Sequence, residues 1–177
     1  MKRKTTLNLV LCALFAGLSA ALSQAALPMI PVPVVLTQVS VFMAAGLLGW
    51  KWGTLSQLLF VAMGAAGLPV FSGFKGGPAH LFGPTGGFIF GYILAALAAG
   101  LLFERFGRTR RAALPILLLG ALLIYFAGIP WLMYAGHLTF TKALSAGMLP
   151  FLPGDIIKAA LCWLLLPKLY PLLKKVM

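Results

Sequence analysis

The sequence predicts an all-α integral membrane protein that crosses the bilayer with six helices. Its 177 residues are 62% hydrophobic and 9% charged, with a mean hydropathy of +1.03. Soluble domains are about half apolar and about a quarter charged. A soluble fold of this size would also leave about 30% of its unfolded surface in water. We therefore expect lipid to cover the apolar surface.

The six predicted spans are apolar runs that approach the roughly 20 residues needed to cross a bilayer. Prolines, glycines or basic connectors separate them, and they lie at about 7–27, 34–49, 54–68, 87–104, 113–135 and 154–170. Between the second and third runs, Trp50 and Trp52 flank Lys51, which is typical of a tight turn at the membrane interface. The third run is short, so we expect it to be embedded among its neighbours.

The charge pattern predicts that both termini lie in the cytoplasm. Lys and Arg number fourteen against two acidic residues, a formal charge of +12. With the N-terminus inside, the positive-inside rule is obeyed by eleven of the fourteen. These eleven are Lys2, Arg3, Lys4, Lys51, Arg105, Arg108, Arg110, Arg111, Lys168, Lys174 and Lys175. Basic and aromatic residues do not alternate on a polar face, so we expect contact with anionic lipid and no nucleic-acid partner.

The first apolar segment has a second interpretation as a cleaved signal peptide. It has a basic start and a small-x-small end at Ser23-Gln24-Ala25. However, the apolar stretch is long for such a peptide and the sequence after Ala25 is itself membrane-like, so we expect a retained helix. A lipoprotein cut before Cys12 is disfavoured because Leu11 is too bulky for that position.

The sequence predicts no metal or cofactor site. Cys12 and Cys162 lie far apart within apolar segments, and His80 and His137 are isolated. None of the four belongs to a CxxC or Cys/His cluster. An isolated histidine in a loop is most often solvated or structurally bonded.

The two acidic residues are the scarcest charged type and therefore the first candidates for function. Glu104 stands beside Arg105 at a cytoplasmic helix end and is interpreted as an interfacial ion pair. Asp155 lies in the first turn of the last helix, with Lys158 three residues further on. It fits a helix-capping carboxylate paired with Lys158. Charges near membrane depth are costly enough to indicate function, and both roles can coexist.

The connector 69–86 is the one long Gly/Pro-rich loop, and such loops tend to carry function. Its glycines allow a ligand to approach the backbone, and Ser72 and Thr85 offer hydroxyl groups. In the predicted topology the loop lies on the outer side, as do Asp155 and Lys158. It lacks the spacing of a P-loop and a following Gly-Lys-Ser/Thr, which argues against a nucleotide.

Four blocks of the sequence together carry a family resemblance. They are Ile30-Pro31-Val32-Pro33 leading to Thr37-Gln38, Gly67-Leu68-Pro69-Val70-Phe71, Gly83-Pro84-Thr85-Gly86-Gly87, and Leu152-Pro153-Gly154-Asp155 with Lys158. Over nearly its whole length the chain resembles the BioY family, the biotin-specific S components of energy-coupling factor (ECF) transporters. The resemblance implies a single domain, 1–177, with an S-component-like bundle in the bacterial cytoplasmic membrane. It also implies a subunit that binds biotin near its outer face, without catalytic activity or a cofactor of its own.

The chemistry of biotin is compatible with these residues. Asp155 is expected to accept hydrogen bonds from the ureido N–H groups, and Lys158 to donate to the ureido carbonyl. Aromatic side chains are expected to line the apolar ring and tail, and polar groups near the loop to hold the tail carboxylate. The candidate binding residues are Asp155, Lys158, Thr37, Gln38, Phe71, Gly73, Phe74, Gly76, Gly77, Thr85 and Tyr92, with Lys75 as a further candidate for the carboxylate.

The resemblance also implies partners besides biotin and membrane lipid. They are a transmembrane coupling protein (the T component) and two cytoplasmic ATPases (the A components), with small residues of the first helix as the docking face. Ala13-x-x-x-Gly17 and Ala16-x-x-x-Ala20 both fit such a face. The sequence leaves the choice between them open.

Two rival functions stay open at the level of sequence. An intramembrane enzyme needs a nucleophile, a general base or a metal clamp, and two scattered histidines with one acidic residue outside the cytoplasmic loops supply little of this. The second rival is an S component for another vitamin, because a fold does not fix its ligand.

Overall fold

The structure, a computed structural model, describes residues 2–27 and 30–176. In this part of the chain seven helices are joined by short connectors and one small antiparallel sheet. The elements are α1 (Lys2–Gln24), β1 (Ala26–Leu27), β2 (Val34–Val35), α2 (Thr37–Ala65), α3 (Pro78–Leu81), α4 (Gly86–Phe106), α5 (Arg110–Gly136), α6 (Phe140–Gly147) and α7 (Leu152–Val176). The predicted all-α class is confirmed, with the two-residue strands as the one addition.

Helix α2 is a hairpin of two arms, 37–48 and 50–65, that turns at Gly49. The backbone of Gly49 is extended at φ 80° and ψ −177°, a conformation that glycine adopts without steric cost. The arms pack so closely that a Cβ on Gly53 would lie 2.8 Å from the Cα of Ala45. The predicted tight turn between the two segments is therefore present, but it lies at Gly49, and residues 50–53, which were expected to form it, are helical.

A chain of buried hydroxyl and amide groups joins α1 to both arms of this hairpin. The Ser19 Oγ lies 2.9 Å from the Ser40 Oγ on the first arm and 3.2 Å from the Gln57 Oε1 on the second. All three side chains are buried, so each hydrogen bond replaces one that the group would otherwise make with water. These contacts fix α1 against α2.

Four helices in the described part of the chain are long and apolar enough to cross a membrane. They are Lys4–Gln24 of α1, Gly86–Phe106, Arg110–Gly136 and Leu152–Lys175 of α7. Each arm of α2 is shorter than the roughly 20 residues of a full span. Large apolar side chains such as Leu122 and Phe126 point outward, 56% and 76% exposed, as expected of surfaces that face lipid. The chain is a multi-pass membrane protein.

Helix α4 is the centre of the bundle, between α2 and α5. A Cβ on Gly91 would lie 3.0 Å from the Cα of Ile124 on α5, and Gly100 packs directly against the backbone of Trp50. Ala95 and Ala99 on the same helix are buried. Small residues thus allow the backbones to approach closely, which strengthens packing where lipid removes the hydrophobic driving force.

Several predicted helix limits are wrong. The first helix ends at Gln24 rather than at 27, because the next residues pair as β1 with β2. The last helix continues to Val176 rather than to 170, with Pro167 and Pro171 inside it. Prolines are tolerated within membrane helices because neighbouring groups can satisfy the freed carbonyls.

Two local structures differ from expectation. The short helix α6 occupies a connector that the sequence left without structure. Glu104, interpreted as a partner of Arg105, instead accepts a hydrogen bond from the backbone N–H of Trp50, with 3.2 Å between Oε1 and N. The carboxylate thus fixes α4 to the α2 turn.

Candidate ligand-binding site

A buried ion pair stands at the start of α7. The Lys158 Nζ lies 2.9 Å from the Asp155 Oδ1, and the two side chains are 6% and 11% exposed. The hydroxyl of Tyr125 on α5 donates to the other carboxylate oxygen, Oδ2. Both oxygens therefore have side-chain partners. This arrangement departs from a helix cap, in which the carboxylate accepts from backbone N–H groups.

This ion pair lies at one end of a cavity of about 40 Å³, which we call the inner cavity. Its wall combines the polar groups of Gln38, Tyr125, Asp155 and Lys158 with aromatic and aliphatic side chains. The lining residues are Val32, Pro33, Val35, Gln38, Phe88, Tyr92, Ile124, Tyr125, Phe151, Asp155 and Lys158. Two of the predicted binding residues, Gln38 and Tyr92, thus lie with Asp155 and Lys158.

A second cavity of about 50 Å³, the outer cavity, lies against the loop that follows α2. Its lining residues are Ser23, Val32, Pro33, Val35, Thr37, Phe60, Phe71, Ser72, His80, Thr85, Phe88, Ile89 and Tyr92. Five of these also line the inner cavity, so the two cavities adjoin: Val32, Pro33, Val35, Phe88 and Tyr92. The structure thereby places Thr37, Phe71 and Thr85 in the same region as Asp155.

An unpartnered hydroxyl marks the outer cavity as a place for a polar ligand. Thr37 is 1% exposed, and its Oγ1 has no hydrogen-bond partner among the described residues. A buried polar atom without a partner costs free energy. A ligand group that bonds this oxygen would remove the cost.

A wider opening, the vestibule, continues the outer cavity toward the surface and encloses about 600 Å³. It is lined by Gln24, Ala26, Ile30, Pro31, Pro33, Ser72, Gly73, Lys75, Ala79, His80, Gly83, Pro84 and Thr85. Four of these also line the outer cavity: Pro33, Ser72, His80 and Thr85. The three spaces share walls and lie in succession from the vestibule to Asp155, and we call this succession the path.

Three of the predicted binding residues lie away from this path. Phe74 is 73% exposed, and its backbone N–H donates to the Gln24 Oε1 at 2.9 Å. The backbone N–H of Gly77 donates to the Gly64 carbonyl at 2.7 Å, and a Cβ on Gly76 would overlap the Leu68 carbonyl. Neither glycine is among the lining residues of the three spaces. Phe74, Gly76 and Gly77 therefore shape the loop and do not line the path.

His80 and Tyr125 line the path, although the sequence did not single them out for binding. The His80 ring stacks on Phe71 with 5.2 Å between ring centroids, and its Nε2 lies 3.4 Å from the Thr85 Oγ1. Burial and then the charge of Lys75 lower the pKa of His80, which favours the neutral ring at pH 7. No local motif marks either residue, because each reaches the path only through the fold.

The end of α1 holds the loop that covers the outer cavity. The Gln24 Nε2 donates to the Phe71 carbonyl at 3.0 Å, and the Gln24 Oε1 accepts from the Phe74 N–H. The Ser23 hydroxyl donates to the Val70 carbonyl one residue earlier. We call these contacts of Ser23 and Gln24 the loop clamp. It fixes the position of Phe71 in the cavity wall.

The two small-residue pairs of α1 face different surroundings. Ala13 and Gly17 are exposed, and a Cβ on Gly17 would meet no atom within 4 Å. Ala16 is 1% exposed and packs in the core, and Ala20 is half-buried. The surface that another membrane protein can reach therefore contains Ala13 and Gly17.

Comparison with known proteins identifies the family. The model of the BioY family matches residues 1–175. The chain belongs to the BioY family. The Probable biotin transporter BioY of Pyrococcus horikoshii is 43% identical over 85% of this chain and 88% of its own length. The Biotin transporter BioY of Thermotoga maritima is 41% identical over 92% of this chain and 96% of its own.

A solved structure has the same fold as this BioY-family chain. It is the crystal structure of the S-component for biotin from an ECF-type ABC transporter, with a TM-score of 0.88 and 30% identity. The match covers 96% of this chain and 93% of the other. The S-component-like bundle expected from the sequence is therefore confirmed.

Proposed function

We propose that this chain is the biotin-binding S component of an ECF transporter. It binds biotin at the outer side of the membrane and releases it in concert with partner subunits. The observation that carries the proposal is the apolar path that ends at a buried carboxylate–ammonium pair. Such a site suits an uncharged, polar ring on an aliphatic tail, which describes the ureido end of biotin. The subunit needs no cofactor, and ATP hydrolysis belongs to the partners.

The polar groups of the inner cavity match those of the ureido ring. The carboxylate of Asp155 accepts from the ureido N–H groups, while Lys158 donates to the ureido carbonyl. Charge-assisted hydrogen bonds of this kind contribute about 1.5–3 kcal/mol each. Tyr125 holds the carboxylate in place through its hydroxyl, and Phe71, Phe88 and Tyr92 surround the apolar atoms.

We further propose six transmembrane segments with both termini in the cytoplasm. The two arms of α2 supply two segments and α1, α4, α5 and α7 the other four. The end of the bundle opposite the cavities is basic: the Arg108 Nε donates to the Gly46 carbonyl at 2.8 Å, and its guanidinium lies over the Tyr170 ring. An arginine-rich end of this kind supports a cytoplasmic orientation.

The proposed partners are a T component in the membrane and two A components in the cytoplasm. We assign the docking face to Ala13 and Gly17, because small exposed residues on a membrane helix allow a second helix to approach closely. Ala16 supports the fold from inside rather than the contact.

Titration of the purified chain with labelled biotin tests the proposed function. We expect saturable binding of one biotin per chain, with no displacement by excess thiamin or riboflavin. Absence of saturable binding would contradict the proposal, and displacement by another vitamin would assign a different ligand. Turnover of a lipid or peptide by the chain alone would favour an intramembrane enzyme.

Gln24→Ala is expected to increase the dissociation rate of biotin about tenfold and to change the association rate little. The substitution removes the two hydrogen bonds of Gln24 described above and a longer one, at 3.4 Å, from its Nε2 to the Pro69 carbonyl, each contributing at most about 0.5–1.5 kcal/mol. The loop then opens more often over the occupied site. Pulse–chase dissociation of labelled biotin measures the change.

Ser145→Ala on the exposed helix α6 is the matched control for Gln24→Ala. It also removes a side-chain hydrogen bond to a backbone carbonyl, that of Lys142, but lies outside the path. We expect its dissociation rate to equal that of the wild type. Equal rates for Gln24→Ala and wild type would show that the clamp does not retain the ligand.

A further inference from the structure

The two ends of the proposed site differ in volume and in the exposure of the residues that line them. At the inner end the Lys158 and Asp155 side chains are buried beside a cavity of about 40 Å³. At the other end the outer cavity opens into the vestibule of about 600 Å³. The inner cavity leaves no room for a group added to the end of the ligand that lies there, whereas the vestibule has room for one.

The charges of the inner end determine which end of biotin lies there. A ligand carboxylate beside Asp155 would meet a like charge, which is unfavourable in a site shielded from water. Lys158 is already paired with Asp155 and supplies no surplus positive charge. The neutral ureido ring belongs at this end, and the tail therefore runs outward past Phe71 toward the vestibule.

The vestibule offers the tail carboxylate only a weak charge contact. Lys75 is the one charged side chain among its described lining residues, and it is exposed. Exposed ion pairs contribute at most about fivefold to an equilibrium constant, because water screens them. Loss of the carboxylate charge therefore costs little affinity in this chain.

From this asymmetry we propose that the chain also binds biotinyl amides, in which the biotin carboxyl group is joined to an amine such as that of lysine. The amine-derived group lies in the vestibule. The contacts of Asp155 and Lys158 with the ureido ring distinguish biotin compounds from other ligands. This inference rests on the proposed biotin-binding function and adds a class of ligands to it. Free biotin and its amides with small amines then compete for one site.

Competition against labelled biotin on the full-length purified chain tests the inference. The competitors are unlabelled biotin, Nε-biotinyl-lysine, and biotin methylated on a ureido nitrogen. We expect biotinyl-lysine to bind within about tenfold of biotin, from the weak contact of an exposed ion pair. We expect the ureido-methylated compound to lose more than a hundredfold. An amide more than tenfold weaker than biotin, or tight binding of the ureido-methylated compound, would overturn the inference.

The variant Lys75→Ala tests the assigned position of the carboxylate. It is expected to weaken biotin about two- to fivefold and to leave biotinamide, which carries no carboxylate, unchanged, which closes the gap between them. Lys142→Ala removes an exposed lysine outside the vestibule and is expected to alter neither. An equal effect of Lys75→Ala on both ligands would place the carboxylate elsewhere and contradict the inference. If labelled biotin itself gives no binding signal, the proposed function is wrong. That outcome differs from failure of this inference, in which biotin binds and its amides do not.

Discussion

Asp155→Asn is expected to weaken biotin binding at least tenfold while the chain still folds. The substitution keeps the volume of the side chain but replaces a carboxylate that accepts from the ureido N–H groups by a neutral amide. Loss of one charge-assisted hydrogen bond costs about 1.5–3 kcal/mol, or roughly ten- to more than a hundredfold in affinity. Titration with labelled biotin measures the loss, and a thermal melt reports on the fold.

Glu104→Gln is the matched control, since it makes the same chemical change at the other acidic residue. Glu104 accepts from the Trp50 N–H far from the cavities, and a glutamine oxygen can accept the same bond. We expect its biotin affinity to equal that of the wild type. Unchanged affinity of Asp155→Asn would refute the role of Asp155 in binding, and loss of the fold would show that it is a structural residue of α7.

Gly17→Trp is expected to abolish biotin uptake while leaving biotin binding intact. Its side chain projects from the exposed face of α1 into open space, so the isolated subunit has room for it. Close approach of a T-component helix, which small residues permit, is then blocked. Uptake by cells that carry the whole transporter, and titration of the purified variant, separate the two effects.

Two further variants complete this experiment. Leu118→Trp enlarges an exposed apolar side chain on α5 and is expected to keep uptake, because that face is assigned to lipid. Ala16→Trp adds bulk in the core and is expected to destabilise the subunit itself. Normal uptake by Gly17→Trp would exclude the Ala13–Gly17 surface as the docking face.

The sequence predicted the features that depend on scarce residues or strong local signals. Asp155 and Lys158 were identified because charges are rare in this chain and costly in lipid, and their ion pair is present. The turn at Gly49 followed from two tryptophans around a lysine. In each case one short segment carries the whole signal.

Features that require two distant segments to meet were not predictable in this way. Tyr125 reaches Asp155 across 30 residues of sequence, and Gln24 reaches Phe74 across 50. Phe74 was expected to line the apolar part of the site because its side chain is aromatic. However, its positive φ of 56° in a tight turn directs the side chain to the surface. The predicted end of the last helix at 170 is wrong, because the helix continues through Pro171 to Val176, and membrane helices tolerate proline.

A structure of the chain with biotin bound in a lipid nanodisc tests the central claim most directly. We expect the ureido ring within about 2.7–3.2 Å of the Asp155 carboxylate and the Lys158 ammonium, at hydrogen-bond distance. The tail should pass Phe71 and end beside Lys75 in the vestibule. Biotin bound with its carboxylate on Lys158, or outside the path altogether, would contradict the claim.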